Sequence, residues 1–375
     1  MRVGLNATCF NERPSGAKRR FTGIYRALVE RCPDIEFVVY EPRDCRVGDW
    51  FAGAPNVSVR RTPLPSSGRF RRAFGGLAYW RWALSRDRLD LFETFHLPLV
   101  RAPDCPTILT VHDARPVRRE VPLVKRMLYG RVLRQALRRA DHVITVSETM
   151  KQEIAAIEPS AMVTTIYNGI DPAPFVAANG NAEALRAKYH LPPEFILAVG
   201  HLEARKNYVR LIQAVAELRR AGKKISLVIV GNDGGARAEI RAETLRLGLA
   251  DQVTILEGVS DQELQSLYAL CTLVAFPSFY EGFGIPLLEA MAARRPLVLS
   301  DTPVFRELTE GRGVYFPPDD SGAIAAALAR VLDSQQRRQE LVAYGVERIR
   351  AFEFARLAGE VEQLYRLMQP ETSKR

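Results

Sequence analysis

The chain has 375 residues, 47% of them apolar and 26% charged, which excludes a disordered polymer and gives more chain than one ordinary core uses. Its net charge of +10 is confined to one half: residues 1–175 hold 28 Lys and Arg against 18 Asp and Glu, while residues 176–375 hold 25 of each. No apolar run reaches the length of a membrane span, and Met1-Arg2-Val3-Gly4-Leu5-Asn6 turns polar too early to be expected as a secretory leader. Five scattered cysteines without a CxxC pair argue against a disulfide framework or a zinc site and fit a reducing cytoplasm. A one-sided positive charge fits nucleic acid, an anionic membrane surface or a phosphate-bearing substrate.

In chain order, short β-branched runs alternate with amphipathic helical stretches. The strands expected in the first half are Val3–Ala7, Phe37–Tyr40, Val57–Arg60, Leu89–Phe92, Thr107–Val111, Val143–Val146 and Thr164–Tyr167. Two basic stretches interrupt them. Arg69, Arg71 and Arg72 alternate with Phe70 and Phe74 ahead of Tyr79, Trp80, Arg81 and Trp82, and residues 117–139 set Leu123, Val124, Met127, Leu128, Val132 and Leu133 with Lys125, Arg126, Arg131, Arg134, Arg138 and Arg139. Both read as helices with cations flanking an apolar face, the pattern of helices lying on anionic membranes, or of helices covering the first sheet with their arginines in water. Asn168-Gly169 and Asp171-Pro172-Ala173-Pro174 then mark a boundary, reinforced by Asn179-Gly180-Asn181. Beyond it the expected strands are Ile196–Val199, Ser226–Val230, Val253–Leu256, Leu273–Phe276, Leu297–Leu299 and Val314–Phe316, and Leu211, Ile212, Val215 and Leu218 share one helical face. Two such series imply two doubly wound α/β domains with parallel sheets.

The most informative stretch is Pro277-Ser278-Phe279-Tyr280-Glu281-Gly282-Phe283-Gly284-Ile285-Pro286-Leu287-Leu288-Glu289-Ala290-Met291. A strand ends at Pro277, and a glycine-bearing loop leads to a helix with Pro286 in its first turn, where proline is favoured. Gly282 and Gly284 let backbone amides approach a ligand, and the helix end offers unpaired N–H groups suited to a diphosphate. Glu281 in the loop and Glu289 one turn into the helix can hold two parts of one elongated ligand, and carboxylates accept hydrogen bonds from sugar hydroxyls.

Seven residues separate Glu281 from Glu289, and this stretch closely resembles the donor signature of the retaining glycosyltransferases of family 4. That resemblance implies a GT-B fold: two Rossmann-like doubly wound domains facing a central cleft, with residues 1–172 for the acceptor, 173–350 for the nucleotide-sugar and 351–375 returning to the first domain. It implies that Glu281 contacts the transferred sugar and Glu289 the ribose, with the amides of Gly282, Phe283 and Gly284 around sugar and phosphates. In Val199-Gly200-His201-Leu202-Glu203-Ala204-Arg205-Lys206-Asn207, Arg205 and Lys206 stand where the family places basic residues on the diphosphate. His112 and Asp113, at the end of Thr107–Val111, match an HD pair of mannosyltransferase-like branches. There the resemblance puts the histidine beside the reacting sugar, with Asp113 fixing its tautomer or accepting a proton. Val259 falls in a stretch resembling the nucleobase loop, and Gly16 in the loop between donor and acceptor.

Two departures stand out. Ser15-Gly16-Ala17-Lys18-Arg19-Arg20-Phe21 replaces a glycine-rich GRY loop, so acceptor identity does not carry over, and its three adjacent cations suit either a nearby anion or a solvated loop. Arg294 replaces a common helix-ending glycine, where a left-handed conformation costs arginine about 1 kcal/mol. A Rossmann oxidoreductase is disfavoured because nothing like GxGxxG follows Val3–Phe10, and no helix-turn-helix, zinc or RNP-like pattern supports a nucleic-acid partner. The resemblance thus implies a metal-independent hexosyltransferase without a cofactor, moving mannose or a GDP-deoxyhexose to a glycan or lipid-linked acceptor. It would act in the cytoplasm, peripheral to the inner face of the membrane. A UDP-sugar donor with a small soluble acceptor, and a nucleotide-sugar-binding protein without catalysis, stand as alternatives.

Overall fold

Runs such as Phe37-Val38-Val39-Tyr40 and Leu227-Val228-Ile229-Val230 have no polar side and need cover on both faces, which parallel sheets flanked by helices provide. The computed structural model, which describes residues 1–12, 15–67, 79–114, 122–177 and 182–369, has two such sheets. Each lies in its own unit, Met1–Gly169 with Phe354–Arg375 and Ile170–Glu353. The breaks fall three residues from the boundaries read in the sequence.

The first unit contains β1 (Arg2–Asn6), α1 (Gly16–Arg31), β2 (Glu36–Glu41), β3 (Val57–Arg61), the helical residues 79–87 (α2), β4 (Leu91–Thr94), β5 (Thr107–Val111), α3 (Leu123–Arg139), β6 (His142–Thr145), α4 (Glu148–Ile157) and β7 (Val163–Thr165). Its sheet runs β3-β2-β1-β4-β5-β6-β7, with every pair parallel. β4 begins two residues later than expected, because Arg88 (φ 46) and the Asp90 carboxylate, which accepts from the Arg2 amide at 2.7 Å, turn the chain first.

The second unit contains α5 (Ala173–Val176), α6 (Ala182–Tyr189), β8 (Phe195–Val199), α7 (Tyr208–Arg220), β9 (Ser226–Val230), α8 (Arg237–Arg246), β10 (Val253–Leu256), α9 (Asp261–Leu270), β11 (Leu273–Phe276), α10 (Ile285–Ala292), β12 (Leu297–Ser300), α11 (Pro303–Leu308), β13 (Val314–Phe316), α12 (Ser321–Leu332) and α13 (Gln335–Arg348). Its strand order, β10-β9-β8-β11-β12-β13, reverses direction between β8 and β11. That switch point is where doubly wound sheets open a crevice beyond their carboxyl ends.

The last helix, α14 (Phe354–Met368), belongs to the first unit. Leu357, Ala358, Val361, Leu364 and Tyr365 pack with Phe21, Ile24, Tyr25 and Leu28 of α1 over one face of the sheet. The opposite face is covered by α2 through Trp80, Ala83 and Leu84, and by α3 and α4 through Leu133, Ala136, Leu137, Met150 and Ile154. Two glycines make room for the start of α14. A Cβ on Gly23 would lie 2.2 Å from Phe354 Cζ, and one on Gly169 2.5 Å from Phe354 Cδ1.

Gly23→Ala therefore tests the seat of α14. In an unconstrained helix interior this change stabilises by roughly 0.5–1 kcal/mol. Here it should destabilise by about 1–3 kcal/mol through overpacking, with partial recovery when Phe354→Leu is added, read by denaturant melts.

Candidate functional site

In the second unit, the loops after β8 and β11 meet because those strands are neighbours at the switch point. After β8 the chain makes a single 3-10 turn, Ala204–Lys206, and Asn207 takes a left-handed conformation (φ 58) before α7 begins. Asn207 Nδ2 donates to the carbonyls of Pro277 (3.0 Å) and Pro318 (2.6 Å), and the Phe279 amide donates to the Arg205 carbonyl at 2.9 Å. So stapled, the loops bring three charged side chains together. Lys206 Nζ donates to Glu281 Oε1 at 2.6 Å, Arg205 Nη1 to Glu281 Oε2 at 2.8 Å, and Ser278 Oγ to Oε1 at 2.7 Å. Arg205 also holds Glu203 at 2.6 Å and the Tyr280 carbonyl at 3.2 Å. Lys206 and Glu281 are both buried. Burial alone raises a carboxyl, but the charges of Lys206 and Arg205 hold Glu281 below the usual range, so it is ionised at neutral pH. Gly200 makes this possible, since at φ 144 its absent Cβ would sit 2.8 Å from Lys206 Nζ.

The rest of the loop behaves as its glycines require. Gly284 (φ 119) precedes α10, whose first turn contains Pro286. The Phe283 ring is buried, its centroid 6.1 Å from that of Phe352. Glu289 is buried on α10 and accepts from Tyr268 Oη at 2.9 Å. Val259 is half-buried, just ahead of the Ser260–Glu263 capping box that starts α9. Arg294, where glycine was expected, does adopt φ 56.

In the first unit His112 follows β5 directly, and Asp113 beside it is half-buried. His112 Nε2 is buried without a partner among the described residues. Burial, and then the charge of Arg20, push the imidazole down to about 3, so it is neutral at physiological pH and holds one ring proton. Gly16 is exposed as the first residue of α1, behind the N-cap Ser15. The three cations after it are helical, which corrects the solvated-loop expectation. Ser15 Oγ accepts from the Lys18 amide and starts the helix early, and α1 then turns Arg20 fully inward. Arg20 Nη1 donates to the carbonyls of Ile166 (2.9 Å) and Tyr167, at the exit of β7.

Two family models match, one on each unit: Glycosyltransferase Family 4 over residues 14–174, and Glycosyl transferases group 1 over residues 181–348. The chain belongs to the family 4 glycosyltransferases. It is 30% identical over 230 residues to the O-antigen chain mannosyltransferase RfbU of Salmonella typhimurium, a match spanning 60% of each protein. It is 27% identical over 332 residues to the alpha-D-kanosaminyltransferase of Streptomyces kanamyceticus, covering 80% of this chain and 85% of that one. Among solved structures, Anabaena HepE in complex with UDP and glucose superposes with a TM-score of 0.76 at 18% identity, over 98% of this chain and all of that one. That likeness shows the two-domain GT-B fold.

Within this family member, sequence reasoning paired Arg205 with Lys206 but overlooked the side chains that fix them. Ser278 was legible, as the second residue of the donor stretch. Asn207 and Tyr268 were not, because the carbonyls and carboxylate they bind come from other loops. Arg20 was read only as one of three adjacent cations and Glu93 was missed, for the same reason. Glu93 is fully buried on β4 and accepts from Tyr25 (2.6 Å), Thr110 (2.5 Å) and Tyr365 (2.5 Å). Burial raises its carboxyl, against those three hydroxyl donors and the charge of Arg20.

The neutral His112 has a stability signature. Its folded value near 3 lies below the roughly 6.5 of an unfolded histidine, so between these limits the unfolded chain binds a proton that the folded chain does not. Stability is therefore lost as pH falls from about 6.5 towards 3. Between pH 7 and pH 5 the melting temperature of the wild type should fall further than that of His112→Asn, by at least about 2 °C. Equal falls would place the imidazole in solvent.

Proposed function

We propose that this chain is a retaining hexosyltransferase that takes mannose or a related deoxyhexose from a GDP-sugar, without a metal or cofactor. The acceptor is a glycan or lipid-linked saccharide of cell-surface polysaccharide synthesis, such as lipopolysaccharide. The enzyme works in the cytoplasm, peripheral to the inner face of the membrane. The observation that carries this reading is the grip of Arg205 and Lys206 on Glu281, next to the glycine loop and the N-terminus of α10. The mannosyltransferase RfbU, among the similar proteins, favours mannose.

The chemistry follows from charge. As the bond between sugar and diphosphate breaks, the leaving nucleotide gains negative charge, and preorganised cations stabilise that state more than the ground state. Arg205 and Lys206 are assigned to the diphosphate, together with the amides of Gly282, Phe283 and Gly284. Glu281, ionised, accepts hydrogen bonds from hydroxyls of the transferred sugar, and Glu289 those of the ribose. His112, neutral, orients the reacting sugar through its single ring proton and its ring lone pair, with Asp113 as its partner or as acceptor of a proton. Val259 supplies backbone groups to the base, and Gly16 leaves room beside the sugar.

GDP and UDP should bind in excess EDTA, and Lys206→Ala should weaken that binding by at least about 1.5 kcal/mol, roughly tenfold, in calorimetry. Unchanged affinity would remove Lys206 from the diphosphate. Gly200→Ala, which pushes Lys206 aside without deleting its charge, should weaken binding in the same direction.

Turnover separates the roles further. Glu281→Gln and His112→Ala should each lower it about a hundredfold or more, and His112→Ala should leave nucleotide affinity nearly intact. An α-linked donor should give an α-glycoside, and an NMR coupling for the opposite anomer would contradict retention.

A further inference from the structure

α3 has two faces of unlike chemistry. Leu133, Ala136 and Leu137 point inward against Leu109, Val111 and Val143, so the helix is seated by its second half. The opposite face carries Val124, Met127, Leu128, Arg131, Arg134 and Arg138 at helical spacing, apolar over the first two turns and cationic thereafter. Leu123, Val124, Met127 and Leu128 are 59, 80, 54 and 62% exposed, and large apolar side chains clustered in this way mark a contact surface. The helix holds six Lys and Arg and no Asp or Glu. Arg134 and Arg138 are steadied along it by the Ile157 carbonyl and by Glu158.

A second exposed element lies on the same side of the sheet. α2 covers the face that α3 covers, and its Trp82 is 59% exposed, with the Arg86 guanidinium 5.2 Å from the ring centroid and the exposed Arg81 beside it in sequence. Arg69, Arg71, Arg72, Phe70 and Phe74, which were expected to share this role, and residues 117–121 lie outside the described residues.

We propose that this face of the first unit, α2 and α3 together, docks on an anionic lipid bilayer, with Leu123, Val124, Met127, Leu128 and Trp82 entering the headgroup boundary and the neighbouring cations on lipid phosphates. The inference rests on the membrane-peripheral part of the function proposed above and names its surface. Charge complementarity selects the occupant. A helix with six cations and no acid, in a half-chain with an excess of ten positive charges, meets in an anionic bilayer a negative plane over an apolar interior, the order in which α3 presents its own groups. Arg131 lies about 6 Å along the axis from Met127, at headgroup depth when the first two turns enter.

The test is co-sedimentation with vesicles of equal parts phosphatidylethanolamine and phosphatidylglycerol, with phosphatidylcholine vesicles as control, at low and high salt. Wild type should pellet with the anionic vesicles at low salt, be released by salt, and ignore phosphatidylcholine. Val124→Gln with Leu128→Gln should abolish most binding, and Lys125→Gln with Arg131→Gln should weaken it about 25-fold, at roughly fivefold per basic residue. All four positions are exposed, so unchanged melting temperatures should accompany the loss. Full binding by the apolar pair, or no binding by wild type, overturns the proposal. So does lipid-free self-association in sedimentation velocity that the apolar pair abolishes, which would make the face a contact between copies. GDP affinity, measured on the same samples, keeps the two readings apart: intact nucleotide binding with failed docking leaves the donor site standing.

Discussion

A carboxylate out of water is tolerated only if it is surrounded by donors, and Glu281 imposes that condition on most of the second unit's functional end. Its partners come from two loops about seventy-five residues apart in the chain, so β8 and β11 must be adjacent and the 3-10 turn after β8 must aim Arg205 and Lys206 at one point. Lys206 reaches Glu281 only because position 200 has no Cβ. Gly231 in turn has none because a Cβ there would lie 2.0 Å from the Gly200 carbonyl oxygen. One buried ion pair thus explains two glycines, the left-handed Asn207 and the staple to Pro277. Replacing Glu281 takes from the buried Lys206 the carboxylate it is paired with, whereas replacing Lys206 leaves Glu281 on Arg205 and Ser278.

The first unit repeats the logic with a different set of atoms. Glu93 is satisfied by three hydroxyls from α1, β5 and α14, which ties the chain's last helix to the centre of the first sheet. Arg20 lies buried on the same side, with one nitrogen on the β7 exit carbonyls, and its charge adds to the burial that keeps His112 neutral. α14 is held by both packing and polar contacts: Phe354 fills the space at Gly23 and Gly169, and Tyr365 reaches Glu93. The histidine at the end of β5 thereby has a buried charge near it.

Charge is divided between the units as the chemistry divides. The second unit neutralises its cations internally, through Glu281, Glu203 and exposed pairs such as Arg237–Glu257 and Arg246–Glu243. In the first unit α3 has no acids of its own, and its cations reach solvent on one side of the sheet. Surface pairs of the first kind add little stability, whereas an unbalanced cationic face acts at a distance and makes association sensitive to salt.

The sequence by itself determined the fold class, the two sheets, the approximate break between units and the donor stretch, because each rests on local information. Unbroken apolar runs, helix-start proline and the E-x7-E spacing are all contained within a few turns of chain. It also announced the cation-rich character of residues 123–139, but assigned Leu133 to the same apolar face as Leu123 and Met127. Only the packed helix shows Leu133 turned inward and the others outward, because which side of a helix meets the sheet is decided by the sheet. The same holds for Lys18, Arg19 and Arg20, three like residues in a row. A tertiary contact buries Arg20 on the carbonyls of Ile166 and Tyr167, while Lys18 rests 4.7 Å over the Trp50 ring. Identity along the chain named the charged residues, and the topology of strands far apart in sequence decided which of them would face each other.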